Sequence, residues 1–417
     1  MLARVSAFVN RFHPGATPAA KRIGPRPEAT MKLKFHSGVR VSPFLPQEVG
    51  LLTKDNWIVR NEADPTGFNH FLAHLVHPRN VKPDRPVLIL VPGMLCNANL
   101  FRICRLDGNF RNLNTNTSFA NALAFEGYHV VLVHPRYARW VYQRYVKEKL
   151  GVANQFSEAT TFDQMVNDLS FHIDAALGLT GCAKAAVVGF SMGGMELLNM
   201  LAFRQIDPRL AAAVFLSTPV EFAHNKETLI SLLRWYGTAA QYAPIKEYHA
   251  LNIVARNVIF LKDALKYLAD KTSPKIMRRV IKDLPLISQI FNPEETDPET
   301  IIPFAFYVLE PMPPTLINNL LRMVRQGQLI SPTWNAGYLA SLKPSLPHSL
   351  VITGKEDALV TAASDQALFD ALGQRNSAGT TTNRKVRIPK AGHVDAVAGM
   401  QSERVLLEIV NFLNEIK

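Results

Sequence analysis

The segment Val187–Leu198, VVGFSMGGMELL, constrains the chain more tightly than any other. An apolar run suited to a buried strand leads into it and a helix-like run leaves it. Between them stands one serine among glycines, Gly189-Phe190-Ser191-Met192-Gly193. A strand can pass into a helix over so few residues only through a sharp turn in which backbone approaches backbone, and Gly189 and Gly193 have no Cβ to block it. Such a turn lifts the Ser191 hydroxyl above the carboxyl end of a sheet, where it is placed to act as a nucleophile.

The neighbouring sequence fits an α/β order. FNHFLAHLVHP (Phe68–Pro78) alternates as an antiparallel strand does, whereas PVLILVPG (Pro86–Gly93) is a continuous apolar run suited to a buried central strand. SFANALAFEGYHVVLVHPR then reads as a helix, a stop at Gly127 and another strand, and TFDQMVNDLSFHIDAAL as an amphipathic helix feeding the strand that ends at the serine turn. After it come a helix and the strand AAAVFLSTP, so successive βαβ units build a mostly parallel central sheet flanked by helices, antiparallel at its start. The next convincing strand is SLVITG, Ser349–Gly354. Residues 220–347 are far more than a crossover needs, and IVARNVIFLKDALKYL and PPTLINNLLRMVRQG have helical apolar spacing, so an inserted helical cap is expected there. The expected organisation is a basic N-terminal segment at 1–40, a core formed by 41–219 and 348–417, and the cap at 220–347.

Composition excludes several classes of function. With 417 residues, 47% hydrophobic and 19% charged, the chain can bury a substantial core. The excess of 46 Lys and Arg over 34 Asp and Glu gives a net charge of +12, but the basic residues are scattered, which argues against nucleic-acid binding. The 3 cysteines, Cys96, Cys104 and Cys182, form no CxxC pair, so neither a disulfide framework nor a zinc site is suggested and a reducing compartment fits. No apolar run reaches the ~18 residues of a membrane span. The N-terminal residues lack an acid before Glu28, and Val5, Phe8, Val9 and Phe12 fall at helical spacing near Arg4 and Arg11. Three readings stay open for this segment: an organelle transit peptide, a basic helix making peripheral contact with a membrane, or a disordered basic tail in a cytoplasmic protein. Nothing in the sequence speaks to oligomeric state.

Ser191 in its strand-turn-helix context resembles the nucleophile elbow of the α/β-hydrolase superfamily, with two downstream partners in that family's chain order. VITGKEDALV resembles the strand end that supplies the acid, at Asp357, and IPKAGHVDAV the loop that supplies the histidine, at His393. The resemblance spans Pro43–Lys417 and implies the α/β-hydrolase fold, esterase or lipase-like activity on an ester or thioester of apolar, lipid-like character, and no cofactor or metal. It also implies backbone N–H donors for an oxyanion at Met192, just after the serine, and at Met94, in the loop after LILVPG. Pro92-Gly93 stands where many relatives have His-Gly, and HPRYARW where many have Asp-x-Arg-Gly. VPGMLCNANLF and TFDQMVNDL are similar to acid lipases and, less closely, to polyester synthases, and GFSMGGMELL is similar to homoserine acyltransferases. An acyltransferase using the same residues and a non-catalytic binding member of the fold are therefore the alternatives.

The residue types suit that chemistry. A serine hydroxyl is a poor nucleophile until an imidazole takes its proton, and the imidazole needs a carboxylate to hold its tautomer. Glu356 competes with Asp357 for that role, and the shorter side chain suits a fixed orienter. His134, at a strand end, reads as a satisfied structural histidine and Cys96 as packing. The apolar residues of the cap read as core before substrate lining.

Overall fold

The computed structural model describes residues 34–36, 52–223 and 290–416, short stretches inside the last two ranges excepted. The N-terminal segment up to residue 33 and the expected cap helix IVARNVIFLKDALKYL lie outside the described residues. All that follows concerns the unit Leu33–Lys417.

In chain order the strands are β1 (Lys34–His36), β2 (Leu52–Arg60), β3 (His70–Pro78), β4 (Val87–Val91), β5 (Arg105–Leu106), β6 (Leu113–Asn114), β7 (Val130–Val133), β8 (Ala185–Phe190), β9 (Leu210–Leu216), β10 (His348–Gly354) and β11 (Asn383–Ile388). β5 and β6 form a small ribbon; the others make a nine-stranded sheet in the order β1-β2-β3-β7-β4-β8-β9-β10-β11. The first three strands and the β3–β7 pairing are antiparallel, and from β7 to β11 every pairing is parallel. Every residue of β4 (VLILV) and β8 (AAVVGF) is buried, as central parallel strands covered on both faces require. Of the antiparallel edge β3 was legible and β2 was not: the first half of β2, LTKDN, is polar, and what makes it a strand is its full pairing with β3.

Among the described residues the α-helices of four residues or more are α1 (Phe119–Phe125), α2 (Phe162–Thr180), α3 (Met192–Phe203), α4 (Pro314–Gln326), α5 (Ala362–Arg375), α6 (Asp395–Ala398) and α7 (Ser402–Glu415). Their ends carry the expected signals. Thr161 and Gln164 close a capping box on α2, and Gly181 ends it in the left-handed region at φ 69°. Pro314 opens α4 and Gly327 closes it at φ 73°. α1 packs with α7, and α2 with α3.

After β4 the chain places β7 on one side of it and then β8 on the other. The strand order therefore reverses at β4, and the carboxyl ends of β4 and β8 open into the crevice where α/β sheets hold ligands. Of the chain between β9 and β10, the described part includes α4 and a strip in which Phe222 N donates to Gly327 O at 2.7 Å and Leu329 N to Val220 O at 3.2 Å. Phe304, from the same stretch, is 3% exposed and stacks edge-on against Phe291 in the main core, so it is a core residue, as the blander reading of the apolar cap residues has it. Phe306 lies outside the described residues.

Candidate active site

Close packing of backbone makes the elbow. A Cβ on Gly189 would lie 2.6 Å from the carbonyl oxygen of Gly193, and one on Gly193 would lie 2.5 Å from that of Val91 at the end of β4. Neither position accepts a side chain, which is why β8 can turn so sharply into α3. Ser191 occupies the turn at φ 53°, ψ −115°, a strained conformation for a residue with a side chain. Its own N–H donates to Leu216 O on β9 at 2.8 Å, and its carbonyl accepts from Gly194 and Met195, so both sides of the strained residue are fixed.

Three loops at the carboxyl ends of β8, β10 and β11 bring the expected residues together. Ser191 Oγ lies 2.9 Å from His393 Nε2, and His393 Nδ1 lies 2.9 and 3.0 Å from the two oxygens of Asp357. Asp357 is itself held, because its Oδ1 accepts the N–H groups of Leu359 and Val360 at 2.9 and 3.0 Å. All three are buried, yet Ser191 keeps 8% of its surface exposed. Glu356 is exposed; its backbone N–H donates to Ala391 O, and the histidine faces Asp357 instead. With Nδ1 donating to the carboxylate, Nε2 is left to accept from the serine hydroxyl, the tautomer that proton abstraction requires.

The histidine loop has an anchor that sequence reasoning missed. Asp395 accepts the N–H groups of Gly392 at 2.8 Å and Asn292 at 2.7 Å together with the hydroxyl of Thr296, and Val394 N donates to Ile290 O at 2.8 Å. Burial raises the Asp395 pKa, while these three donors pull the other way. Phe190 packs against the His393 ring at 5.1 Å between centroids. A lone aspartate two residues after a histidine carries no signal in sequence, since two of its three partners, Asn292 and Thr296, lie about a hundred positions upstream.

Met192 is the first residue of α3 and is buried, so its N–H belongs to the amino-terminal turn of that helix. The loop bearing Met94 runs directly against Ser191: a Cβ on Gly93 would lie 2.9 Å from Ser191 Cβ. Beside this loop His134 is fully buried. Its Nδ1 accepts from Ala98 N at 3.3 Å, and its Nε2 meets His74 Nε2 at 2.7 Å, so it is a structural histidine. Burial lowers the His134 pKa to about 3. Cys96 is buried and its thiol pKa is pushed up by burial, which suits packing. Arg136 in HPRYARW donates to Asp168 Oδ2 at 2.6 Å and to Asp64 Oδ2 at 2.7 Å, a buried charge network at the end of β7. Among the described residues no group of three or more His, Cys, Asp or Glu could hold a metal ion, and no helix is long and apolar enough to cross a membrane.

A parallel sheet whose strand order reverses at β4, with a serine elbow after β8 and acid and histidine loops after β10 and β11, is the architecture of the α/β hydrolases. A family model described as "alpha/beta hydrolase fold" matches residues 86–397, and the chain belongs to that family. No curated protein sequence matches the chain. Among solved structures it is similar to a thermophilic esterase from Thermogutta terrifontis, with 16% identity, a TM-score of 0.50, and coverage of 87% of this chain and 99% of the esterase. It is also similar to MenH from S. aureus, with 16% identity, a TM-score of 0.45 and coverage of 82% and 98%. A monoacylglycerol lipase from Paleococcus ferrophilus gives 11% identity, a TM-score of 0.44 and coverage of 83% and 99%. At these identities the likeness is one of fold.

Proposed function

We propose that the protein is a serine hydrolase that cleaves a carboxylic ester or thioester of apolar character through an acyl-enzyme on Ser191. The observation that carries this reading is the unbroken line of hydrogen bonds from Ser191 Oγ through His393 to Asp357. In the first half-reaction Oγ attacks the ester carbonyl while His393 Nε2 takes its proton. The carbonyl π electrons move to oxygen, and the N–H groups of Met192 and Met94 receive the negative charge. Collapse of the tetrahedral intermediate expels the alkoxide or thiolate, which leaves with the proton from His393. Water then repeats the sequence on the acyl-enzyme and releases the acid. Asp357 keeps its charge throughout and holds the imidazolium. In the same reading, the cap expected at 220–347 supplies part of the pocket for the acyl or alcohol group.

The test is product analysis. Purified protein incubated in plain buffer with aryl esters of graded acyl length is expected to release the free acid with a preference for one range of lengths. An acyl-enzyme that persists in water and is discharged only by an alcohol or thiol acceptor would replace hydrolysis with acyl transfer.

A further inference from the structure

We infer that Tyr137 and Glu310 are positioning residues that set the place of the Met94 N–H by clamping the loop Gly93–Asn97 from two sides; the catalytic consequence rests on the hydrolase reading above. The loop leaves β4 in a turn closed by Cys96 N, which donates to Gly93 O at 3.2 Å. Leu95 sits at φ 60°, a conformation that a branched residue adopts only where its surroundings impose it. The surroundings are visible. Tyr137 is buried, and its hydroxyl lies 2.8 Å from Gly93 O and 2.9 Å from Cys96 O, so one proton is shared between the carbonyls at the two ends of the Met94–Leu95 turn.

The second side comes from the chain between β9 and β10. Glu310 N donates to Leu95 O at 2.8 Å and Asn97 N to Val308 O at 2.9 Å, and Cys96 pairs with Leu309 as an antiparallel bridge. The Glu310 carboxylate, 2% exposed, then ties this strip to two further places. Its Oε1 accepts from Asn97 Nδ2 at 3.0 Å and from Val141 N at 3.2 Å, and its Oε2 accepts from Trp140 N at 3.0 Å. One carboxylate therefore joins the Met94 loop, the segment after Tyr137 and the chain between β9 and β10. The same stretch of chain, at Asn292 and Thr296, grips Asp395 beneath His393. An oxyanion donor works only when it is fixed before the charge develops, and these bonds do the fixing.

Amide hydrogen exchange and steady-state kinetics on the full-length protein test this together, with the variants Tyr137→Phe, Glu310→Gln and Glu310→Ala. Glu310→Gln keeps an acceptor toward Asn97 and Val141 but turns an NH2 toward the N–H of Trp140, so it is expected to fall between the parent and Glu310→Ala. Each variant should speed exchange in the peptide spanning Gly93–Arg102 at least tenfold while leaving α2 and α7 unchanged. On an aryl ester, kcat should fall roughly tenfold to a hundredfold with KM within about twofold, less than the ~10²–10³-fold cost of deleting an oxyanion donor outright. Unchanged exchange in the Gly93–Arg102 peptide would overturn the clamp whatever the activity. Faster exchange with unchanged kcat would overturn its role in placing the donor. A parent protein that exchanges as expected but turns over no ester would instead remove the hydrolase reading and leave the clamp standing.

Discussion

Ser191 holds its Oγ 2.9 Å from His393 Nε2 while its own backbone sits at φ 53°, so the geometry that presents the hydroxyl is bought with backbone strain. Strain of this kind costs about 1–3 kcal/mol and persists at functional sites. Ser191→Gly should therefore be more resistant to urea than Ser191→Ala, by ~1 kcal/mol, because glycine adopts this conformation freely. Both variants should lose ester turnover. Equal midpoints for the two would mean that the turn is unstrained.

Asp357→Asn should reduce kcat/KM on the order of 10⁴-fold, the scale expected when the imidazole is held in the wrong tautomer. Glu356→Gln, altering an exposed side chain, should leave the rate within about twofold. Asp357→Ala should also lower the thermal midpoint, since the N–H groups of Leu359 and Val360 lose their acceptor. A large loss in Glu356→Gln with a small one in Asp357→Asn would reverse the assignment.

Two glycine substitutions should act in opposite directions. A methyl at Gly193 meets backbone at 2.5 Å, so Gly193→Ala should destabilise by at least ~3 kcal/mol or fail to give soluble protein. Gly373, exposed near the end of α5, has no atom within 4 Å of a built Cβ. Gly373→Ala should stabilise by ~0.5–1 kcal/mol. Chemical denaturation of the two variants beside the parent checks both.

Stability should respond to pH through buried groups of opposite sign. His134 and His172 are buried, and burial lowers each pKa from 6.5 to about 3. The unfolded chain takes up these protons below 6.5 and the native state does not, so stability is lost as pH falls from 6.5 toward about 3. By pH 5 the loss is roughly 2 kcal/mol per histidine. Burial raises the Glu196 pKa well above 4.5, with Asp168 adding to the effect, so the native state keeps a proton that the unfolded chain releases. Stability from that group declines as pH rises above 4.5. His134→Gln should flatten the acid limb, and Glu196→Gln should raise stability at pH 7–8 relative to its effect at pH 4. Urea midpoints across pH measure both; parallel profiles for variant and parent would contradict the assignments.

The part of the site that could be read from sequence is the part encoded locally. A strand, two glycines and a helix define the elbow within a dozen residues. Asp357 and His393 each lie in the loop after a recognisable strand, and their meeting with Ser191 follows from the order of the strands. β2 was hidden because its pairing with β3 decides its structure where its own composition does not. Asp395, Tyr137 and Glu310 were hidden for a related reason: each holds a loop through partners far away in the chain, and neither its type nor its neighbours reveal that. Arg136 stood in a segment noted only as a departure from the family pattern, yet it is the centre of a buried ion network with Asp64 and Asp168.

The central claim is that Ser191 is the nucleophile, and intact-mass spectrometry after treatment with a fluorophosphonate tests it most directly. The parent protein should gain a single phosphonyl group, peptide mapping should place it within the segment containing Ser191, and Ser191→Ala should gain none. A parent that stays unmodified while folded, or a Ser191→Ala variant labelled as fully as the parent, would contradict the account.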